Sequence, residues 1–564
     1  MDSRVWRVGK GGLKPIETIE ATQRLLLSQR GIKDNLQERF FAPTYERNIH
    51  DPFSLLGMEE AVERIYHAIK KGEHILVYGD YDADGVTSVA QLISTLREIG
   101  GLCFPYLPHR LDDGYGLNLQ VLKGLASEID LLITVDCGVA NVEEIAWLKS
   151  QGKDVIVVDH HEIGPVLPAA RAILHPRHPE GTYPWGHLCG AGVTWKLCQA
   201  LLRDPRSGFE KDVDKEKWLL DLTVLGTVAD VMPLQDENRA IVRFGLQVLK
   251  MSRRPGIRAL LNSLRLTMKE LSVEDVGYKL VPRLNAPGRL EHAQPALDLL
   301  LATDIPTAEK QAAMLEQYNT QRQNISRRIA KEAEGQVVAE APVVFAFHAS
   351  WPAGVVGLVA GQLARKFSRP AVVVGSNGRH AVGSARSPKG YNMLEILEAG
   401  REHVLKLGGH AQAAGFSVEE SSIHEFHRAI FEAAGKGAKH SETETIPADA
   451  VASDRLLSWE MAEGMQHFEP FGEANAEPCF VWRRLPLVRA HAVGKKSDHA
   501  KFVFDLPQKL DAIGFGLGEK ISALGDHVDV MGSLSIDRFW GAPRLQLKVV
   551  DIVKTGSVRI EEGE

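Results

Sequence analysis

Asp80-Tyr81-Asp82-Ala83-Asp84-Gly85 follows the apolar run His74-Ile75-Leu76-Val77-Tyr78 and precedes a helix-like run from Val86 to Leu96. Strand, acidic turn and helix in that order read as the opening of a βαβ unit, with the carboxylates at the carboxyl end of the strand. Carboxylates this close raise one another's pKa unless a cation neutralises them, so a divalent metal held by oxygen ligands is the simplest physical account. A solvated acidic turn is the alternative, since Asp-rich loops are ordinary turn chemistry.

The pattern continues on both sides of this stretch. Helix-like Gly57 to Lys71, Val86 to Ile99 and Asn141 to Gln151 alternate with strand-like Leu131 to Val135 and Asp154 to Val158. These strands are apolar on both faces, as expected of a parallel sheet covered by helices on two sides. A mainly helical region follows from about 190 to 300, then one long polar helix, Thr307 to Val337, with Pro306 near its start and a thin stripe of Leu315, Tyr318, Ile325 and Ile329. Such a helix reads as a connector. At Pro342 the α/β pattern restarts with Val343 to Phe347, Val355 to Phe367 and Ala371 to Val374. From Phe480 to Val553 come five short β-rich runs and a helix-like insert near Glu519 to Leu524, which suggest a small closed barrel of the OB type. The expected fold class is therefore α/β: two α/β domains joined by a long helix, followed by a β-barrel. Its divisions are an N-terminal arm (1–50), a first α/β domain (51–302), the connector (303–340), a second α/β domain (341–450), the barrel (451–555) and an acidic tail (556–564).

Composition excludes several classes. The 564 residues are 44% hydrophobic and 25% charged, ordinary for a globular chain with several cores. No segment approaches the roughly 18 uninterrupted apolar residues of a membrane span, and no secretory signal is visible. Cys103, Cys137, Cys189, Cys198 and Cys479 are widely spaced without a CxxC pair, so neither a disulfide framework nor structural zinc is expected, and a reducing cytoplasm fits. The net charge of −7 gives no global attraction to nucleic acid, but Cys479 to Val553 holds eleven Lys and Arg against eight Asp and Glu. Phe502, Phe504, Phe515, Phe539 and Trp540 stand there among Lys495, Lys496, Lys501, Arg538 and Arg544. Aromatics and cations on a barrel surface suit stacking with single-stranded bases, although alternation places about half of such rings in the core.

Two further strand ends carry polar groups. Asp136 closes Leu131 to Val135, and Asp159-His160-His161 closes Asp154 to Val158. In an open parallel sheet the carboxyl ends of the strands form the ligand crevice. Many carboxylates with one or two imidazoles and no thiolate cluster suit Mg²⁺ or Mn²⁺, and there are ligands enough for two ions, which at roughly 3.5 to 4 Å apart make a clamp for phosphoryl chemistry.

Asp82-Ala83-Asp84, Asp136, Asp159-His160-His161 and Asp230 in Gly226-Thr227-Val228-Ala229-Asp230 resemble the successive motifs of the DHH phosphoesterase superfamily. Gly408-Gly409-His410-Ala411-Gln412-Ala413-Ala414-Gly415 resembles the signature of the associated DHHA1 domain. With the connector, Arg283-Leu284-Asn285-Ala286-Pro287-Gly288-Arg289-Leu290 and the barrel, residues 50 to 555 are similar to the superfamily's single-strand-specific 5′–3′ DNA exonucleases. The resemblance implies that Asp82, Asp84, Asp136, His160 and Asp230 hold two Mn²⁺ or Mg²⁺ ions, with Asp136 bridging. It implies that His161 and His410 lie near the scissile phosphate and that Asp159 orients a neighbour. Where some smaller members place a metal-binding histidine four residues before the first Asp of the pair, this chain has Tyr78; whether Asp80 compensates is left open. Arg110, Arg283, Ser384, Arg386, Gly408 and Gly409 are the implied phosphate and DNA contacts, with Arg386 first for the 5′-terminal phosphate. The implied activity is hydrolysis of single-stranded DNA in repair and recombination by a monomer, with single-stranded-DNA-binding protein and a helicase as partners. Two other readings stay open: a hydrolase of short oligonucleotides or cyclic dinucleotides, and a non-catalytic strand-binding scaffold.

Overall fold

The computed structural model describes residues 4–110, 112–212, 214–376, 378, 380–388, 390–437, 445–537 and 542–563. Two compact units are present: His50–Met232 with Phe244–Lys439, and Met1–Ile49 with Pro233–Arg243 and His440–Glu564.

In the larger unit a five-stranded parallel sheet runs in the order Leu102–Tyr106, His74–Tyr78, Leu131–Val135, Asp154–Val158, Ala172–Leu174. Leu131–Val135 is buried at every position, as its unbroken apolar run requires. The chain leaves His74–Tyr78 to form Leu102–Tyr106 on one side and Leu131–Val135 on the other, so the order reverses between these strands, the point at which such sheets hold ligands. The two edge strands escaped the sequence reading because Leu102–Tyr106 contains Pro105 and Ala172–Leu174 has only 3 residues.

Helix Ala83–Glu98 is buried along nearly its whole length and packs against Gly190–Arg203 and Leu220–Ala229. The long helix is Ile305–Glu334, capped by Asp304, whose side chain accepts the Thr307 N–H. Its buried face, Ala308, Ala312, Leu315, Asn319, Ser326, Ile329 and Ala333, is mostly small, which lets it lie close on Pro255–Ser263, Val281–Leu290 and Ala353–Phe367. It is therefore packed against both α/β parts rather than spanning a gap. The second sheet has the order Val404–His410, Ala413–Val418, Ala381–Arg386, Ala371–Ser376, Val344–Pro352, and only its last pair is parallel.

In the smaller unit Phe480–Val493, His499–Phe504, Leu510–Gly514, Arg544–Lys554 and His527–Asp537 pair in that order, and the last closes onto the first. This is the expected closed barrel, with Gly518–Ala523 as its insert. The N-terminal arm is an integral part of this unit: Val5–Val8 lies between Thr445–Ala448 and Arg559–Glu562, so the acidic tail supplies a strand as well. Trp6 Nε1 donates to the buried Asp551 carboxylate at 2.9 Å, which fixes the register of that strand. Phe502 and Phe504 fill the barrel core, whereas Phe515 is 67% exposed beside His499. Arg538, Phe539 and Trp540 lie outside the described residues, as do 438–444 of the stretch expected to close the second domain. Among the described residues no helix is long and apolar enough to cross a membrane.

Candidate metal centre

The acidic turn is shaped by its own backbone. Asp82 caps helix Ala83–Glu98, its Oδ1 accepting the N–H groups of Asp84 (3.0 Å) and Gly85 (3.1 Å). The Ala83 N–H donates to Asn285 Oδ1 at 2.8 Å, tying the turn to the Arg283–Leu290 segment. Asp84, one residue into the helix, is buried and accepts the N–H groups of Gly190 (2.7 Å) and Ala191 (2.9 Å) at the start of helix Gly190–Arg203. That helix end favours negative charge. The approach is so close that a side chain at Gly190 would collide with the Asp136 carboxylate and one at Gly226 with that of Asp84.

Asp136 leaves its strand with φ 60, a conformation uncommon for a residue with a side chain and typical of functional turns. His160 Nε2 stands 3.1 Å from Asp136 Oδ1, 3.7 Å from Asp230 Oδ2 and 3.8 Å from Asp84 Oδ2. Three overlapping sets result, Asp80–Asp82–Asp136, Asp84–His160–Asp230 and Asp136–His160–His161, in each of which the ligand atoms lie within 4.8 Å of one another.

Charge confirms that something positive is wanted. Burial, and then repulsion from neighbouring carboxylates, pushes Asp80 and Asp230 up to about 8 and Asp136 well above the usual range. Oδ1 of Asp80 is buried without a hydrogen-bond partner, and Oδ1 of Asp136 is buried with the His160 ring nitrogen 3.1 Å away but no hydrogen bond made. An oxygen-rich set with one or two imidazoles fits Mg²⁺ or Mn²⁺. The open question over Asp80 takes shape here: its carboxylate is buried and stands with Asp82 and Asp136. Tyr78 points elsewhere, its hydroxyl donating to the Gly116 carbonyl (3.0 Å) and its ring stacked on Tyr106.

Asp159 sits behind the cluster. Its Oδ2 accepts the Val139 N–H, and its Oδ1 accepts the N–H groups of His160 and His161 and faces His161 Nδ1 at 2.8 Å. Burial alone would lower the basicity of His161, but the hydrogen bond and charge of Asp159 outweigh it and raise the imidazole to about 9. His160 is instead lowered to about 4, chiefly by burial, and so presents a neutral ring.

Four arginines lie within electrostatic reach of one another, and two of them reach the acidic turn, Arg110 acting on Asp80 and Arg289 interacting with Asp82. Arg289 is deeply buried and lowered to about 10 by that burial and then by the charges of Arg110 and Arg322, with Arg386 adding to them. Their close partners are neutral: Arg386 Nη1 donates to Ser384 Oγ (2.9 Å) and the Ala385 carbonyl (2.8 Å), Arg322 donates to Asn319 Oδ1 (2.6 Å), and Arg110 lies over the Tyr81 ring. Helix Ala353–Phe367 begins beside the Arg289 carbonyl with no side-chain cap, so its positive end joins the cluster. Arg283 is otherwise engaged, its Nε and Nη2 forming a two-point ion pair with Glu316 at 2.6 and 3.2 Å. From that pair its charge still acts on Arg322, and the same motif supplies a second arginine, Arg289, six residues on along helix Val281–Leu290. Gly408, Gly409 and His410 end an exposed strand of the second sheet, and Glu162, next to the two histidines, lies within electrostatic reach of His410.

Sequence reasoning did not single out Asn285, Arg289, Arg322, Gly190 or Gly226. Asn285, Arg289 and Gly226 stood in quoted motifs, so a signal was present; Gly190 and Arg322 carried none, because each acts through an approach that only packing creates.

The chain matches the families described as DHH family, N-terminal domain, over residues 74–227; DHHA1 domain, over 340–436; and RecJ OB domain, over 448–551. The single-stranded-DNA-specific exonuclease RecJ of Bacillus subtilis is 37% identical over 539 residues, 93% of this chain and 67% of that protein. The protein of the same name from Dickeya dadantii is 32% identical over 560 residues, 94% of this chain and 96% of that protein. Among solved structures, RecJ from Thermus thermophilus in complex with Mn²⁺ matches with TM-score 0.84 and 28% identity, covering 99% of this chain and 80% of that one. A second, exonuclease RecJ bound to manganese, matches with TM-score 0.60 and 32% identity over 68% of this chain and 95% of that one.

Proposed function

The chain belongs to the RecJ family of single-stranded-DNA-specific exonucleases, and from that premise we propose that the carboxylate–imidazole cluster is its hydrolytic centre and the arginine cluster its hold on the strand's 5′-terminal phosphate. The observation that carries this reading is the gathering of Asp80, Asp82 and Asp136 into one set and Asp84, His160 and Asp230 into another, the two joined by a third, Asp136, His160 and His161.

Asp80, Asp82 and Asp136 would hold one divalent cation, Mn²⁺ or Mg²⁺, and Asp84, His160 and Asp230 a second, with Asp136 between them. When bound, the ions supply an activated water and positive charge for the phosphate oxygens. The remaining tasks fall to the chain. Asp159 keeps a proton on His161 and aims its outer nitrogen into the crevice, where an imidazolium donates to the phosphate as negative charge builds. His410, on the exposed strand of the second sheet, is a further donor to the same phosphate. Arg110, Arg289 and Arg386, with Ser384 and the glycines Gly408 and Gly409, hold a terminal phosphate, whose double charge offsets the repulsion among the guanidinium groups. Fixing the end of the strand at a set distance from the acidic cluster makes hydrolysis exonucleolytic and gives it a direction.

Free, scattered thiols support work in a reducing cytoplasm. We take the monomer to act beside the proteins that unwind and coat single strands, as in DNA repair. Digestion of a long single strand labelled at either end, with Mn²⁺ or Mg²⁺, tests the reading. Stepwise loss from the 5′ end supports it. Loss from the 3′ end overturns the assignment of the arginine pocket, and cleavage of short fragments alone overturns the strand-binding role of the barrel.

A further inference from the structure

The backbone of Asp159-His160-His161 is gripped from behind by the residues that follow the neighbouring edge strand, Ala172–Leu174. The Asp159 N–H donates to the Leu174 carbonyl at 3.1 Å. The next two positions are held by side chains: Arg177 Nη2 donates to the His160 carbonyl at 2.8 Å, and His175 Nε2 lies 2.8 Å from the His161 carbonyl. The Arg177 N–H donates to His175 Nδ1 at 3.0 Å, which places the ring proton on Nε2, the nitrogen that faces the carbonyl. Arg177 is itself steadied by Glu162, Nη1 to Oε1 at 2.9 Å. His175 is 1% exposed.

Such an arrangement does more than satisfy two carbonyls, a task that water or main chain performs elsewhere. The peptide planes of residues 160 and 161 set the directions in which the two rings leave the chain. Turning either plane swings His160 Nε2 away from Asp136 and Asp230, and His161 away from Asp159.

We infer that His175 and Arg177 are positioning residues which fix the His160 and His161 rings through their carbonyl oxygens. The inference rests on the reading of these histidines as part of the hydrolytic centre. Partners behind metal-binding groups commonly change metal affinity about 10- to 100-fold when removed.

Four variants test it: His175→Phe, which keeps a ring and loses the donor; His175→Gln, whose amide nitrogen reaches the same carbonyl; and Arg177→Met and Arg177→Lys. Mn²⁺ binding is followed by calorimetry, and kcat and KM by digestion of single-stranded DNA. His175→Phe and Arg177→Met are expected to weaken Mn²⁺ binding about 10- to 100-fold and to lower kcat with KM for DNA unchanged, while His175→Gln recovers most of both. Native Mn²⁺ affinity and kcat in a folded His175→Phe variant overturn the inference, as does a His175→Gln variant no better than His175→Phe. Should the buried phenylalanine prevent folding, the half-exposed Arg177 carries the test: Arg177→Lys is expected to recover part of what Arg177→Met loses, and an Arg177→Met variant with native Mn²⁺ affinity and kcat, or an Arg177→Lys variant no better than Arg177→Met, overturns the inference. A native chain that binds no Mn²⁺ overturns the underlying reading instead, which separates the two failures.

Discussion

The carboxylates at the strand ends and the arginines near them follow one physical plan with opposite signs. Each is a set of like charges drawn together, and in each burial and then repulsion push the most enclosed members toward their neutral forms: Asp80 and Asp230 up to about 8, Arg289 down to about 10. They differ in how they are assembled. Most of the acids arrive where neighbouring strands of one sheet end, with Asp84 in the first turn of the helix that follows and only Asp230 brought in from the end of another helix, whereas Arg110 comes from a loop, Arg289 and Arg322 from two helices and Arg386 from the second sheet. A cation of fixed radius needs ligands placed to a fraction of an ångström, which a rigid sheet provides. A phosphate is larger and tolerates a pocket made where separate elements meet.

The largest test breaks the acidic side. Asp136→Asn should reduce digestion by about 10⁴-fold or more, as removal of a group that works as part of a unit does. Binding of single-stranded DNA, measured without added metal, should be nearly unchanged, because the proposed hold on the strand lies with the other cluster. Next comes the basic side. Arg386→Ala or Arg289→Ala should raise KM for 5′-phosphorylated strands about 10- to 100-fold, equivalent to losing a charged hydrogen bond of about 1.5–3 kcal/mol. For strands ending in a 5′-hydroxyl the same changes should matter little, and an equal loss on both substrates would count against a terminal-phosphate pocket.

A third prediction concerns pH. Folded Asp80 and Asp230 hold protons up to about 8, whereas in an unfolded chain they release them near 3.8. Between these values the folded state binds more protons, so the metal-free protein should lose stability as pH rises from about 4 to about 8. His161, raised to about 9 from 6.5, acts in the same direction over its own window. Saturating Mn²⁺ should restore stability, raising the melting temperature by about 2–4 °C at pH 8 and by less at pH 5; an equal shift at both would mean that the carboxylates are not the ligands. The smallest effect is expected for Arg283→Ala. Its guanidinium already answers Glu316 in a partly exposed pair of about 0–1 kcal/mol, so turnover should change less than about threefold and only stability should register the loss.

Most of the acidic cluster was legible in the sequence because strand, turn and carboxylate are contiguous: Tyr78 to Asp84, Val135 to Asp136 and Val158 to His161 are each read within a few residues, whereas Asp230, at the end of a helix, was named only through the family resemblance. The basic cluster was only half legible. Arg110, Ser384 and Arg386 stood in glycine-flanked motifs, but Arg283 and Arg289 share one motif, and nothing in it says that the first pairs with Glu316 while the second stands beside Arg110 and Arg322. Their faces differ because six residues along a helix amount to about one and two-thirds turns. Asp80 was left open for the converse reason, since its carboxylate counts only when the end of the neighbouring strand brings Asp136 beside it.

By itself the sequence determined the order of the domains, the parallel sheet, the barrel and the acid groups that meet at the strand ends, all of which rest on apolar periodicity and short-range spacing. The tertiary structure alone decided that the first residues and the last form one small sheet with Thr445–Ala448, that Arg289 stands among Arg110, Arg322 and Arg386 while Arg283 pairs with Glu316, and that His175 and Arg177 stand behind the two histidines. Each of these depends on contacts between segments distant in the chain or on the direction of a single side chain, and such contacts leave no periodic trace in the order of residues.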